Sequence, residues 1–423
     1  MEVPRRRLLA LLGSSALAGC AQLPRSNNSG TPLSLPAGSN AWPTQTADPE
    51  RTHTNHSASG PRHQSFTRQA YDGISAADPI RVVGDVVYGY NGNVFAYSLS
   101  DEKFIWETPA LTRQLIVTED YVIHSDPTIT ALDRKTGEQR WHVPKEEAIL
   151  QSSRPHIAFT NGTIAAADEE GNLIGTRNGT VRWQQSIPSN RSQSSPGRVT
   201  TVRLLSSSEN LIRIVRRDQE ITRKHGTPEI QRTYVDAFSH DGTPVFHYEF
   251  SGYPTGSMVT ESRLYLARLL PSISTTDQGT SYPDELTSIT VIDTTSGEIV
   301  GKRIIPLDHN TIRGIFGFAA TDGEPITVQN HRLHRLTPST LTTKWSSEPF
   351  PDQPRQIAVG ANTIYAAVGG DSKQSQVRCI DAATGDTIWT ESVKADRISQ
   401  LILVDESLFI STSKPNQLIR LRA

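Results

Sequence analysis

Short runs in which apolar and polar residues alternate recur from about residue 84 to the end of the chain, each entered through a polar pair. They read "GDVVYGY", "EDYVIHS", "NGTIAAA", "ENLIRIV", "ESRLYLA", "EPITVQN", "ANTIYAA" and "ESLFIST". Alternation predicts half-buried strands, and the polar pair before each suits a turn. A period of 3.6 is hard to find anywhere after residue 20, so the chain is expected to be all-β.

After each of these runs comes a second frame. "ITALDRKTGEQRW" (129–141) and "VRCIDAATGDTIW" (377–389) both carry an alternating segment ending in Asp, a Thr-Gly turn, and a Trp eight positions beyond the Asp. "VFAYSLSDEKFIW", "LHRLTPSTLTTKW", "ITVIDTTSGEIVG", "LIGTRNGTVRW" and "VDAFSHDGTPVF" vary the frame, and "LIRLR" (418–422) stops before any turn. Five of the six tryptophans, Trp106, Trp141, Trp183, Trp345 and Trp389, occupy this one slot, while Gly301 takes it in one copy. The units recur at a mean of roughly 46 residues, the spacing of propeller blades rather than of helical repeats.

The turn residues have a physical reason. Asp133, Asp293 and Asp381 can accept bonds from the backbone two residues on, and Gly137, Gly297 and Gly385 tolerate the positive φ of a tight hairpin. A small residue usually stands third in the first strand of the frame (Ala96, Ala131, Gly175, Ala237, Cys379), which is expected to let neighbouring sheets approach while the Trp fills the gap between blades. Together these predict an eight-bladed β-propeller of four-stranded antiparallel blades around a central channel. The last unit lacks an outer strand and "RHQSFTRQAYDG" (62–73) has no partner of its own, so an N-terminal strand is expected to close the ring.

On these residues the chain resembles the PQQ-like repeat β-propellers, whose blades end in Ala-x-Asp-x-x-Thr-Gly-x-x-x-Trp. Ala131, Asp133, Thr136, Gly137 and Trp141 are the clearest match. The resemblance covers about 350 residues and is specific for fold rather than activity, because the family includes quinone-dependent dehydrogenases, assembly scaffolds and sensors.

The first residues, "MEVPRRRLLALLGSSALAGC", combine three arginines, a short apolar run and a small-residue site. They predict an export signal over 1–19, too short to span a membrane, with a twin-arginine-like motif. Leu17-Ala18-Gly19-Cys20 matches a lipobox, making Cys20 the expected lipidated first residue of the mature form. Residues 20–61, rich in Ser, Pro, Asn, Thr and Gly, read as a flexible tether, leaving 62–423 for the propeller. Within it "AWPTQTADPERTHTNHSASGP" looks like the lead-in of such propellers in halophilic archaea. Removing Arg5, Arg6, Arg7 and Glu2 takes the formal charge from −2 only to −4, which leaves a bacterial lipoprotein open as well.

Near-neutrality also argues against nucleic acid as a partner, since no basic excess is present to neutralise phosphates. The locally basic run "RIVRRDQEITRKHG" (213–226) reads as a solvated hairpin. The resemblance to quinone-dependent dehydrogenases would demand a catalytic Asp and a Glu, Asn and Asp set for calcium in the channel, often with a disulfide between adjacent cysteines. Only Cys20 and Cys379 exist, and Cys379 reads as a buried, inert thiol. The aspartates of the frame lie in separate blades, and neither His53 with His56 nor His331 with His334 forms a ligand motif, so no metal, cofactor or catalytic residue is predicted. Of five sequons, Asn161 and Asn178 read as turn residues, and Asn27, Asn55 and Asn190 as candidate glycan acceptors.

The expected function is therefore a non-enzymatic, lipid-anchored scaffold on the extracytoplasmic face of the cell membrane, holding an unidentified protein or peptide through its loops or strand edges. The alternatives are a membrane-tethered PQQ-dependent dehydrogenase of alcohols or sugars and a sensor or surface component with a polysaccharide ligand.

Overall fold

The computed structural model describes residues 32–38, 40–42, 54–71, 74, 79–112, 114–125, 128–144, 155–168, 172–186, 198–220, 229–260, 262–270, 274–276, 279–281, 286–306, 318–369 and 375–423. They form eight blades of four antiparallel strands, spanning 80–109, 115–142, 156–185, 198–251, 253–306, 318–346, 356–393 and 397–422. In blades 1 to 7 the strands run in chain order, and neighbouring blades touch through their first strands, save that the first strand of blade 3 meets Tyr121–Ser125, the second strand of blade 2. Blade 8 meets blade 1 through Gln400, whose Oε1 accepts from Ile80 N and whose Nε2 donates to Ile80 O, both at 3.2 Å.

Blade 8 takes three strands from the C-terminal end and its outer strand, Thr67–Tyr71, from the N-terminal side. The pairing runs from Thr67 opposite Arg422 to Tyr71 opposite Leu418. This seam removes the two edges that a linear order of blades would leave open.

The apolar core lies between blades rather than at the centre. Ile123, Ala131, Ile164 and Ile174 pack where blade 2 meets blade 3, and Ile212, Val235, Leu264 and Ile292 where blade 4 meets blade 5. Burial of alternate residues on both faces of every blade supplies the driving force.

The small third residue turns out to serve its own blade, correcting the expectation that it lets neighbouring sheets approach. Ala96, Ala131, Gly175 and Cys379 stand directly opposite Trp106, Trp141, Trp183 and Trp389 on the adjoining outer strand, and Ala237 opposite Phe246. A Cβ on Gly175 would lie 2.1 Å from Trp183, so the slot is small because the indole lies across it.

Each ring then leans onto the turn of the following blade. Trp106, Trp183 and Trp345 donate Nε1–H to the carbonyls of Arg134, His240 and Ala382, at 3.0, 2.9 and 3.2 Å. A Cβ on Gly137, Gly242 or Gly385 would meet these three rings at 2.6–2.7 Å. Glycine in the turn therefore answers two demands, a positive φ and a neighbouring indole.

The exceptions vary this contact in pairs. Blade 5 has Gly301 in the Trp slot, and there blade 6 puts Leu341, fully buried at φ +56, in the glycine slot. Blade 8 has Gln69 in the Trp slot, donating to Oε1 of Glu102 at 2.9 Å, where Glu102 takes the glycine position of blade 1 at φ +50. At the seam Trp389 finds no Thr-Gly turn, and donates instead to Pro61 O at 2.9 Å while Phe66 packs 5.2 Å from its ring.

Candidate functional site

Sequence composition made residues 20–61 a tether, but the described part of that segment is packed onto the ring. Leu33 N donates to Gly162 O, Ser34 O accepts from Glu119 N, and Asn40 O accepts from Gly84 N, crossing from blade 3 to blade 1. Ala41–Trp42 then pairs with the inner side of the first strand of blade 1, and Trp42 is fully buried. Thr54 bridges to Val359 and donates to Ala320 O at 2.6 Å, and Asn55 Nδ2 donates to Ala41 O at 3.3 Å and Leu403 O at 3.0 Å. Asn55, a sequon asparagine, thus spends its amide inside the fold rather than presenting it.

This strap lies on one face of the ring. Its partners Gly84, Glu119, Gly162, Ala361 and Asp405 all sit where the first strand of a blade turns into the second. The Thr-Gly turns share that face, since Arg134 N donates to Asp120 O, Thr294 N to Ser262 O and Ala382 N to Asn362 O. The opposite face carries the blade-to-blade connections and the turns between second and third strands. The long ribbon of blade 4 (Asn210–Glu220 with Glu229–Ser239) and the extra hairpin of blade 5 (Ser274–Thr276 with Gly279–Ser281) rise there.

The channel wall is made by the eight innermost strands: Ile80–Val83, Leu115–Val117, His156–Thr160, Arg198–Ser206, Tyr253–Thr260, Phe318–Thr321, Gln356–Val359 and Arg397–Val404. None of them contains an Asp or a Glu, whereas Arg81, Arg198, Arg203 and Arg397 do lie on them. Arg81 is buried and donates to Leu115 O at 2.9 Å and Ile80 O at 2.6 Å. Burial lowers the affinity of Arg203 for its proton. Calcium needs several oxygen ligands with carboxylates among them, and no group of three His, Cys, Asp or Glu able to hold a metal is present among the described residues. The wall does not fit the calcium-quinone site that the dehydrogenase alternative requires.

The aspartates of the repeat do not converge. Asp133 Oδ1 accepts from Lys135 N and Thr136 N at 2.9 and 3.0 Å, and Asp293 and Asp381 repeat that pattern in blades 5 and 7. Slight burial would raise the Asp133 carboxyl, but Arg140 and the turn amides outweigh it and hold it below its usual range. Asp293 is lowered chiefly by the Ser296 amide. Cys379 is fully buried, and desolvation pushes its thiol up to about 12, far from a reactive thiolate. Cys20 and His53 lie outside the described residues. His331 sits in a turn at φ +59, while His334 bonds Ser346 Oγ and Gln329 O. Asn161 and Asn178 both occupy hairpin turns at positive φ.

Sequence reasoning missed two features. The basic run is not wholly solvated, because Arg213 is buried and binds Asp236 at 2.8 Å, with His247 on the other oxygen at 2.6 Å. Burial would raise the Asp236 carboxyl, but these two partners bring it down to about 2. The second is Trp42, whose signal was a lone large aromatic residue in an otherwise polar stretch, costly to leave in water.

The free surfaces are therefore the open face and the outer strands. Among the described residues the exposed large apolar side chains are Phe104, Ile105, Leu111, Val245, Ile299, Val300, Ile304 and Ile388, and three of these eight belong to one outer strand, Ile299–Pro306 of blade 5.

Comparison with known proteins fits this architecture. A family model described as outer membrane protein assembly factor BamB, of the PQQ-like type, matches residues 33–219. The crystal structure of BamB from Moraxella catarrhalis superposes with a TM-score of 0.50 at 14% identity, covering 84% of this chain and 98% of that one. The computationally designed Ika8 protein gives 0.52 at 12% identity, covering 81% and 93%. No curated protein matches the sequence. At these identities the solved structures speak for fold alone, and the family model speaks for part of the chain: this is an eight-bladed β-propeller that over residues 33–219 is similar to the PQQ-like repeat family.

Proposed function

We propose that this propeller is a non-enzymatic scaffold that binds other proteins outside the cytoplasm, anchored to the membrane by lipid on Cys20. The observation that carries the reading is the channel. One face is crossed by the chain's own strap, and the wall offers no carboxylate, so recognition falls to the open face and the strand edges. The family model's description as an assembly factor supports the same reading.

The anchor also orients the ring. Pro32 is twelve residues beyond Cys20, a reach of at most about 40 Å, and the strap it begins lies on the face of the Thr-Gly turns. That face is then the membrane side, and the ribbon of blade 4 and hairpin of blade 5 point away from it.

The test is cross-linking of the chain in its native membrane followed by identification of the adducts, alongside calorimetric titration of the purified protein with calcium and pyrroloquinoline quinone. Discrete protein adducts and no quinone binding are expected. Micromolar quinone binding without adducts would replace the scaffold by the dehydrogenase.

A further inference from the structure

We propose that the outer strand of blade 5 accepts an extended strand of a partner protein whose facing side chains alternate apolar, acidic, apolar. This rests on the scaffold reading and names the chemistry of its partner. The strand Ile299–Pro306 pairs with Leu286–Asp293 on one side only, so the backbone groups along its other side form an open edge.

Its side chains are unusual for such an edge. Ile299, Lys302 and Ile304 stand opposite Ile292, Thr290 and Ser288. Ile292 belongs to the core between blades 4 and 5, and Thr290 meets Arg268 there, which fixes this as the side towards blade 4. Ile299, Val300 and Ile304 are 47%, 41% and 51% exposed. The frame places Gln139, Arg140 and Pro144 of blade 2, and Thr343, Lys344 and Glu348 of blade 6, at the positions of Ile299, Val300 and Ile304. Polar, charged and proline residues there discourage strand addition, and among the described residues only blade 5 has β-branched apolar side chains at all three positions.

The opposing wall is also apolar. Phe246, Tyr248 and Phe250 of blade 4 are half-buried against the same core, with Tyr248 stacked 5.5 Å from Phe250 and its hydroxyl donating to Gly297 O. A peptide strand added to blade 5 would cover Val300 and Ile304 and present its own alternate residues towards these rings, combining backbone pairing with side-chain selection.

Lys302 decides the occupant. It projects between the apolar positions, while Arg303 on the other side is engaged by Leu341 O. A second copy pairing antiparallel about this point would set Lys302 against Lys302, and like charges directly opposite are unfavourable. An acidic residue in that place turns repulsion into a cross-strand ion pair. The partner strand therefore carries Asp or Glu flanked two residues away on each side by apolar side chains.

The probe is a fluorescein-labelled seven-residue peptide in which valine, aspartate and valine occupy alternate positions with threonine between, titrated by anisotropy into the full chain. A control peptide has lysine in place of aspartate. Tighter binding of the aspartate peptide, by about fivefold or more, is expected, with Ile304→Lys weakening it by a similar factor and Lys302→Glu reversing the preference. Both positions are exposed, and unchanged melting of the variants checks that the fold is intact. Absence of binding, affinity indifferent to both substitutions, or a wild-type dimer in sedimentation that Ile304→Lys dissolves would overturn the proposal. Membrane cross-links that persist in Ile304→Lys would retain the scaffold and discard this edge, whereas their absence from the wild type would discard the scaffold itself.

Discussion

At the scale of single residues, the contact between an indole and the next blade's glycine is the unit of cohesion. Trp389 is 3% exposed with its N–H satisfied, whereas Trp141 is half-buried with an N–H that has no partner, because the turn of blade 3 is shorter. Trp389→Ala should cost about 3–5 kcal/mol and Trp141→Ala clearly less, read from urea denaturation midpoints at constant slope. Gly301 and Leu341 allow a sharper test. A Cβ on Gly301 would meet Ser339 O at 2.5 Å, and Leu341 occupies space that a glycine leaves elsewhere. Gly301→Trp and Leu341→Gly should each destabilise, yet together cost less than their sum by at least about 1 kcal/mol; strict additivity would mean the two slots are not coupled. His124 supplies a pH dependence. Burial pushes its imidazole down to about 4 from 6.5, so the unfolded chain takes up a proton between those values that the folded chain refuses. Stability should therefore fall by about 3 kcal/mol as pH drops from 6.5 to 4, and His124→Gln should flatten that slope in thermal melts.

At the scale of elements, the eight blades were legible because each repeats one frame whose turn chemistry and spacing are local. The pairs that replace the frame were not legible in that way. Gly301 with Leu341, and Gln69 with Glu102, join residues of different blades, and nothing within either strand announces the other. The strap was hidden for a different reason. Its composition is that of a linker, and its order comes from backbone bonds to turns of five blades rather than from any periodicity of its own. Asn55 is its best anchored side chain, holding Ala41 O and Leu403 O at once. Asn55→Ala should cost about 1–3 kcal/mol, since two buried carbonyls lose a donor, and a glycan at this asparagine should be undetectable by mass spectrometry of the folded protein.

At the scale of the whole molecule, ring closure and surface use are linked by the same segment. The strand Thr67–Tyr71 covers the edge of Gln417–Arg422, and the residues just before it complete the missing turn beneath Trp389. A chain beginning at residue 54 keeps both functions; one beginning at residue 74 keeps neither. The longer chain should sediment as a monomer and unfold in one cooperative step. The shorter should expose an unpaired strand between seven complete blades and one incomplete one, and should associate or unfold at markedly lower urea. If the shorter chain were monomeric and as stable as the longer, blade-to-blade packing alone would hold the ring, and the N-terminal segment would serve the channel face rather than the seam. The expected outcome follows from geometry: seven interfaces are made between consecutive blades, but the eighth brings together the two ends of the chain, and only there does a strand from one end finish the sheet of the other.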